Sequence, residues 1–139
     1  MICPLCKAQI PENSTCQDLY SQLAFYTLNY AGPEFFIHQY IVDAYAAQHS
    51  QETDKPIKVA FALIGLYLFT EKNYTGKEVQ LAHMQLAKVK REYPKFVLPE
   101  KRGEITVANV LNIKAGKDRD EMIKAWATSV WQVFSDDRP

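Results

Sequence analysis

Cys3-Pro4-Leu5-Cys6, then Cys16, then His38-Gln39-Tyr40-Ile41-Val42-Asp43-Ala44-Tyr45-Ala46-Ala47-Gln48-His49: these pieces hold all three cysteines and two of the three histidines of the 139-residue chain. A Cys-Pro-x-Cys turn points two sulfurs at one spot, and such a pair is commonly half of a tetrahedral thiolate site. The other half has to come from the helices that follow. Ser14 with Gln17 three residues on has a capping-box pattern and predicts a helix from about Thr15, with the apolar stripe Cys16, Leu19, Tyr20, Leu23, Tyr26, Thr27 and Tyr30. Gly32-Pro33 ends that helix and opens the next. The second helix is expected from about Pro33 to His49, its inward stripe Phe35, His38, Val42, Tyr45 and His49. Helices joined by so short a turn pack antiparallel, which sets position 16 opposite position 49. Cys3, Cys6, Cys16 and His49 are thus expected to meet at the open end of the hairpin. With every position filled by protein the metal is structural, and zinc is the expected ion.

Rival readings of the same residues remain open. Cys16 also suits a small buried position, and His49 the favourable end of a helix dipole. A redox Cys-x-x-Cys would need a βαβ setting that this sequence lacks, and an iron–sulfur cluster takes similar ligands. His38 is about 16 Å along the helix axis from His49, so both cannot hold one ion. Its ordinary role is a core histidine bonded to Thr27 or to a tyrosine. Its functional alternative is a polar pocket with Asp43 and nearby tyrosines, although Asp43 lies about 140° round the helix from it.

Downstream, Pro56 opens a third helix whose run from Val59 to Phe69 reads as buried on most sides. Asn73-Tyr74 ends it. Thr75 and Glu78 form a second capping box for a helix with the stripe Val79, Ala82, Leu86, Val89 and Tyr93, its last turns carrying Lys88, Lys90 and Arg91. His83 is expected at the edge of that stripe, with a ligand role the minor reading. Thr106 caps a short helix through about Ile113, Gly116 stops it, and Asp118 with Glu121 predicts a cap for the last helix, bearing Met122, Ile123, Trp126, Val130, Trp131 and Phe134. Both tryptophans are read as core and rim residues. Arg102-Gly103 before Thr106 offers either an anion site or, the preferred reading, an arginine tying its loop to the bundle. The expected fold is all-α: one helical domain over residues 1–139, about four long helices and a short one, with residues 1–13 as a zinc-knuckle-like extension on the bundle end.

Composition narrows the function classes. Hydrophobic residues at 47%, charged residues at 23% and a net charge of zero are ordinary globular values. Without a basic stripe no nucleic-acid partner is expected, and the longest apolar run falls short of the ~20 residues that cross a bilayer. Cys3 and Pro4 stand where a secretion signal would put a basic region and an apolar core, so a cytoplasmic protein is expected.

Cys-Pro-x-Cys, His-x-x-x-Val-Asp-Ala-Tyr-x-x-Gln-His over 38–49, Leu98-Pro99 with Arg102-Gly103-x-x-Thr106-Val107, and Ala125-Trp126-Ala127-x-x-Val130-Trp131 together resemble a family of uncharacterised bacterial proteins, a domain of unknown function. The resemblance covers nearly the whole chain. It implies a small bacterial helical protein and brings no activity. It also implies that His38, Asp43, Tyr45, Gln48, His49 and Arg102 belong to one shared pattern. Two expectations follow: a zinc-clipped accessory or binding module for an unidentified protein or small molecule, able to self-associate, or a metal-dependent or acid/base enzyme with its pocket around His38 and with Asp43, Tyr45 and Arg102 as further catalytic candidates.

Overall fold

The computed structural model describes residues 1–30 and 36–136, and the expected Gly32-Pro33 turn and Phe35 lie outside them. Among the described residues the architecture is all-helical: α1 (Cys16–Tyr30), α2 (His38–Gln48), α3 (Pro56–Lys72), α4 (Gly76–Ala87), the short α5 (Val107–Leu111) and α6 (Lys117–Asp136). That is one short helix and five longer ones, in rough agreement with the expected count. α2 is the central element, packed against α1, α3, α4 and α6. Residues 1–10 fold as a small antiparallel turn, with Ile2 bridged to Gln9 and the Ile10 N–H donating to the Met1 carbonyl at 2.8 Å. Cys3, Cys6, Ala8 and Ile10 are buried in the same apolar cluster as Leu23, Ile41, Leu66 and Trp126. The knuckle is therefore part of the core.

Local chemistry explains most of the helix ends. Thr75 and Glu78 make the expected capping box, the Glu78 N–H donating to the Thr75 hydroxyl at 3.1 Å and the Thr75 N–H to the Glu78 carboxylate at 2.9 Å. Asn73, in the left-handed conformation at φ 58°, closes α3. For α1 the box lies one residue later than the sequence suggested: Thr15, not Ser14, accepts from the Asp18 N–H at 3.1 Å, and its own N–H donates to Asp18 at 3.0 Å. That register puts a carboxylate, not the Gln17 amide, at the positive end of the helix. α6 begins directly after Gly116, whose φ of 129° and carbonyl accepting from the Asp120 N–H at 3.0 Å replace the expected Asp118 cap.

Two expectations about the apolar stripes need correction. α4 ends at Ala87, buries only Gly76 and Val79, and leaves Val89 at 59% exposure, so Lys88, Lys90 and Arg91 lie beyond the helix. A helix persists where its face is packed, and this one runs off its supporting neighbours α2 and α3. α3 is buried along Val59, Ala60, Ala62, Leu63, Gly65 and Leu66, but its opposite side is open at Ile57. Its run of apolar residues is longer than the face it buries.

Candidate metal centre

The knuckle delivers two thiols because its backbone closes on itself. Lys7, at φ 68°, turns the chain so that its N–H donates to the Cys3 carbonyl at 2.9 Å, while the Cys3 N–H donates to the Ala8 carbonyl at 3.0 Å. Cys16 is the first residue of α1, fixed there by the Thr15 cap. His49 is the residue that closes α2. One ligand atom from each of Cys3, Cys6, Cys16 and His49 lies within 4.8 Å of all the others, and these four form the one such group among the described residues. The Cys6 and Cys16 sulfurs are 3.5 Å apart. Zinc–sulfur bonds of about 2.3 Å in a tetrahedron set sulfurs about 3.8 Å apart, so the cluster has the dimensions of a metal site.

The histidine is set up for ligation. His49 Nδ1 lies 3.0 Å from the Tyr45 carbonyl, which can only accept, so Nδ1 carries the proton and Nε2 carries the lone pair. Nε2 is buried and has no hydrogen-bond partner. Burial holds the ring's pKa below its ordinary value, which keeps it neutral near pH 7. Tyr45 lies over the His49 ring with centroids 4.1 Å apart and stacks in turn on Tyr20 at 4.3 Å. Tyr45 therefore aligns the ligand through both its ring and its carbonyl.

The thiols are less ready. Burial and the two neighbouring sulfurs raise the Cys16 pKa, and burial raises that of Cys6. Burial also works against ionisation of Cys3, but the amides of Cys6 and Leu5 outweigh it and bring its pKa below the ordinary value. One thiolate is favoured by the turn, and a bound cation would have to displace the remaining protons.

Gln48, next to the ligand, holds this end of the bundle together. Its fully buried amide donates to the Arg102 and Ile105 carbonyls at 3.0 and 2.8 Å and accepts from the Trp126 indole N–H at 3.0 Å. Arg102 makes the tie preferred from the sequence: its guanidinium donates to the carbonyls of Gln48 at 3.1 Å, Ser50 at 2.8 Å and Pro99 at 2.6 Å. It caps the end of α2 and fastens the loop before α5 to it.

The remaining candidates do not converge on one pocket. The hydroxyl of Thr27 lies 3.1 Å from the Ala24 carbonyl and 2.9 Å from His38 Nδ1. Either tautomer of His38 makes the bond to Thr27, which is the ordinary core role. Asp43 faces away from His38 toward α3 and α4, where Gln39 Nε2 donates to its Oδ1 at 3.2 Å and His83 Nε2 stands 3.5 Å from its Oδ2. The candidates His38, Asp43, Tyr45 and Arg102 thus lie in three environments.

The Asp43–His83 approach was missed in the sequence, and its one visible trace is Gly65 inside the apolar run of α3. A Cβ at position 65 would collide with the Asp43 carboxylate and stand 2.8 Å from His83 Nε2. Glycine inside a helix costs about 1 kcal/mol relative to alanine, so Gly65→Ala would stabilise an open position. Here the expected sign is reversed: overpacking should destabilise by roughly 2 kcal/mol, read from the urea midpoint. A stabilised variant would show that the approach is loose.

A model of a family of unknown function, DUF5946, matches residues 1–135, and the chain belongs to that family. No curated protein and no solved structure matches it. Among the described residues no helix is long and apolar enough to cross a membrane.

Proposed function

We propose that Cys3, Cys6, Cys16 and His49 hold one zinc ion as a closed structural site, and that the protein is a helical binding or accessory module whose N-terminal knuckle is clamped by that ion. The observation that carries this reading is the His49 ring: Nδ1 committed to the Tyr45 carbonyl, Nε2 buried without a partner, and three thiols within 4.8 Å. A buried nitrogen with no partner costs on the order of 1–3 kcal/mol, and a metal bond would remove that cost. Four protein ligands leave no open position for substrate, which supports a structural role over a catalytic one.

Metal analysis of the purified protein tests the reading. One equivalent of zinc is expected, lost in Cys3→Ser and Cys16→Ser and retained in His38→Ala. Visible absorption with bound iron would favour a cluster instead. Metal that survives Cys3→Ser and disappears in His38→Ala would overturn the ligand set, and protein purified without metal and unable to take up zinc would overturn the site itself.

A further inference from the structure

Asp43 is only 3% exposed, yet its partners are weak. Gln39 donates to Oδ1 at 3.2 Å. Oδ2 and His83 Nε2 are 3.5 Å apart, at the outer limit of a hydrogen bond, so the contact satisfies neither atom well. Burial raises the carboxyl pKa, against the pull of His83 and Gln39. A carboxylate this deep usually accepts several strong hydrogen bonds. The spacing fits a different partner. Bonds of about 2.1 Å from a metal to a carboxylate oxygen and an imidazole nitrogen set those two atoms about 3.0 Å apart at an octahedral angle and about 3.4 Å apart at a tetrahedral one, so a small movement of either side chain admits both.

We propose that Asp43 and His83 bind a divalent first-row metal ion at the floor of the groove between α2, α3 and α4, a second site that shares no ligand with the cysteine cluster. The groove encloses about 500 Å³ and is lined by both residues. Carboxylate and imidazole donors suit manganese, iron or zinc rather than a soft ion. Gln39 acts as a positioning residue: its amide holds Oδ1 and leaves Oδ2 for the ion. Gly65 lets α3 approach both ligands closely, because a side chain there would strike both. The cation on the groove wall, Lys58, is drawn to Asp54 at 3.6 Å. With two protein ligands the ion keeps several coordination positions for water or for an oxygen of a bound molecule. The apolar walls, Val42, Ile57 and Phe61, suit a molecule with a hydrocarbon or aromatic body.

Manganese is the probe of choice, since this oxygen-preferring ion competes poorly for thiolates. The full-length protein, with its cysteine cluster as purified, is titrated with Mn²⁺ and followed by water-proton relaxation. One Mn²⁺ per chain is expected, bound at least tenfold more weakly in Asp43→Asn and His83→Asn. Because either groove variant can perturb the fold, the unmutated protein supplies a second readout: Mn²⁺ should broaden the ring-proton signals of His83 before those of His38. The absence of Mn²⁺ binding, or binding that persists in both groove variants, would overturn the site and leave Asp43 and His83 as a buried ion pair joining α2 to α4. Binding lost in Cys16→Ser but not in the groove variants would overturn it as well, by placing the ion in the cysteine cluster.

Discussion

Stripping the metal with a strong chelator, or replacing Cys16 by serine, is expected to lower the thermal midpoint by on the order of 10 °C and to release residues 1–10 from the bundle. The size follows from linkage: free metal at ~1,000 times its dissociation constant stabilises the folded state by roughly 4 kcal/mol, which is a large shift for a domain of this length. Release follows from packing. Cys3, Cys6, Ala8 and Ile10 are buried against the helices, and under the proposed ligation the ion would tie the turn that carries them to the start of α1 and the end of α2. Calorimetry with and without chelator measures the first effect, and amide exchange of residues 3–10 the second. A midpoint that does not move when metal is removed would sink the structural role.

The same site sets a pH dependence. Under the proposed ligation the ion would bind thiolates and a neutral imidazole, so protons would compete with it and affinity would rise with pH. Cys6 and Cys16, whose thiols burial keeps protonated in the metal-free protein, must each give up a proton on binding. His49 offers little competition, because burial lowers its pKa. Stability that depends on the metal is therefore present at neutral and higher pH and lost as the solution is acidified. Proton release on adding zinc at constant pH, measured in two buffers of different ionisation enthalpy, checks the sign.

The other large effect belongs to Gln48. Gln48→Leu keeps approximately the same volume and removes three hydrogen bonds at once, leaving the Trp126 indole N–H and the carbonyls of Arg102 and Ile105 without that partner. At about 1–3 kcal/mol for each buried group left unpaired, the expected loss is roughly 3–5 kcal/mol, a large fraction of a typical domain's total stability. Trp126→Phe removes one of these bonds and should cost less. In the double variant the two losses should fall short of their sum by about 1 kcal/mol or more, because they share one contact. Urea denaturation of the four proteins gives the cycle. Strict additivity would mean that the indole does not depend on Gln48.

The cysteine cluster was legible in the sequence for a specific reason. Its geometry reduces to a two-residue spacer in the knuckle and two helical stripes, and helical periodicity carries Cys16 and His49 to the same end of a hairpin. His38 with Thr27 was legible in the same way, and so was the tie of Arg102's loop to the bundle, though not that the end of α2 receives it. Asp43 and His83 were not. They lie on helices separated by the whole of α3, and nothing local to either names the other. Gly65, which makes their approach possible, looks in the sequence like one more small residue in an apolar run.

The sequence by itself determined the helices, their order, the cap at Thr75 and the candidate ligands Cys3, Cys6, Cys16 and His49. These depend on periodicity and on contacts within a few residues, which a linear text records. Only the tertiary structure decided that Gln48 joins α2 to α6 and to the loop before α5, that α4 stops at Ala87, and that Asp43 turns away from His38 to meet His83. Those outcomes depend on which faces meet across the bundle, and that is set by the packing of distant segments.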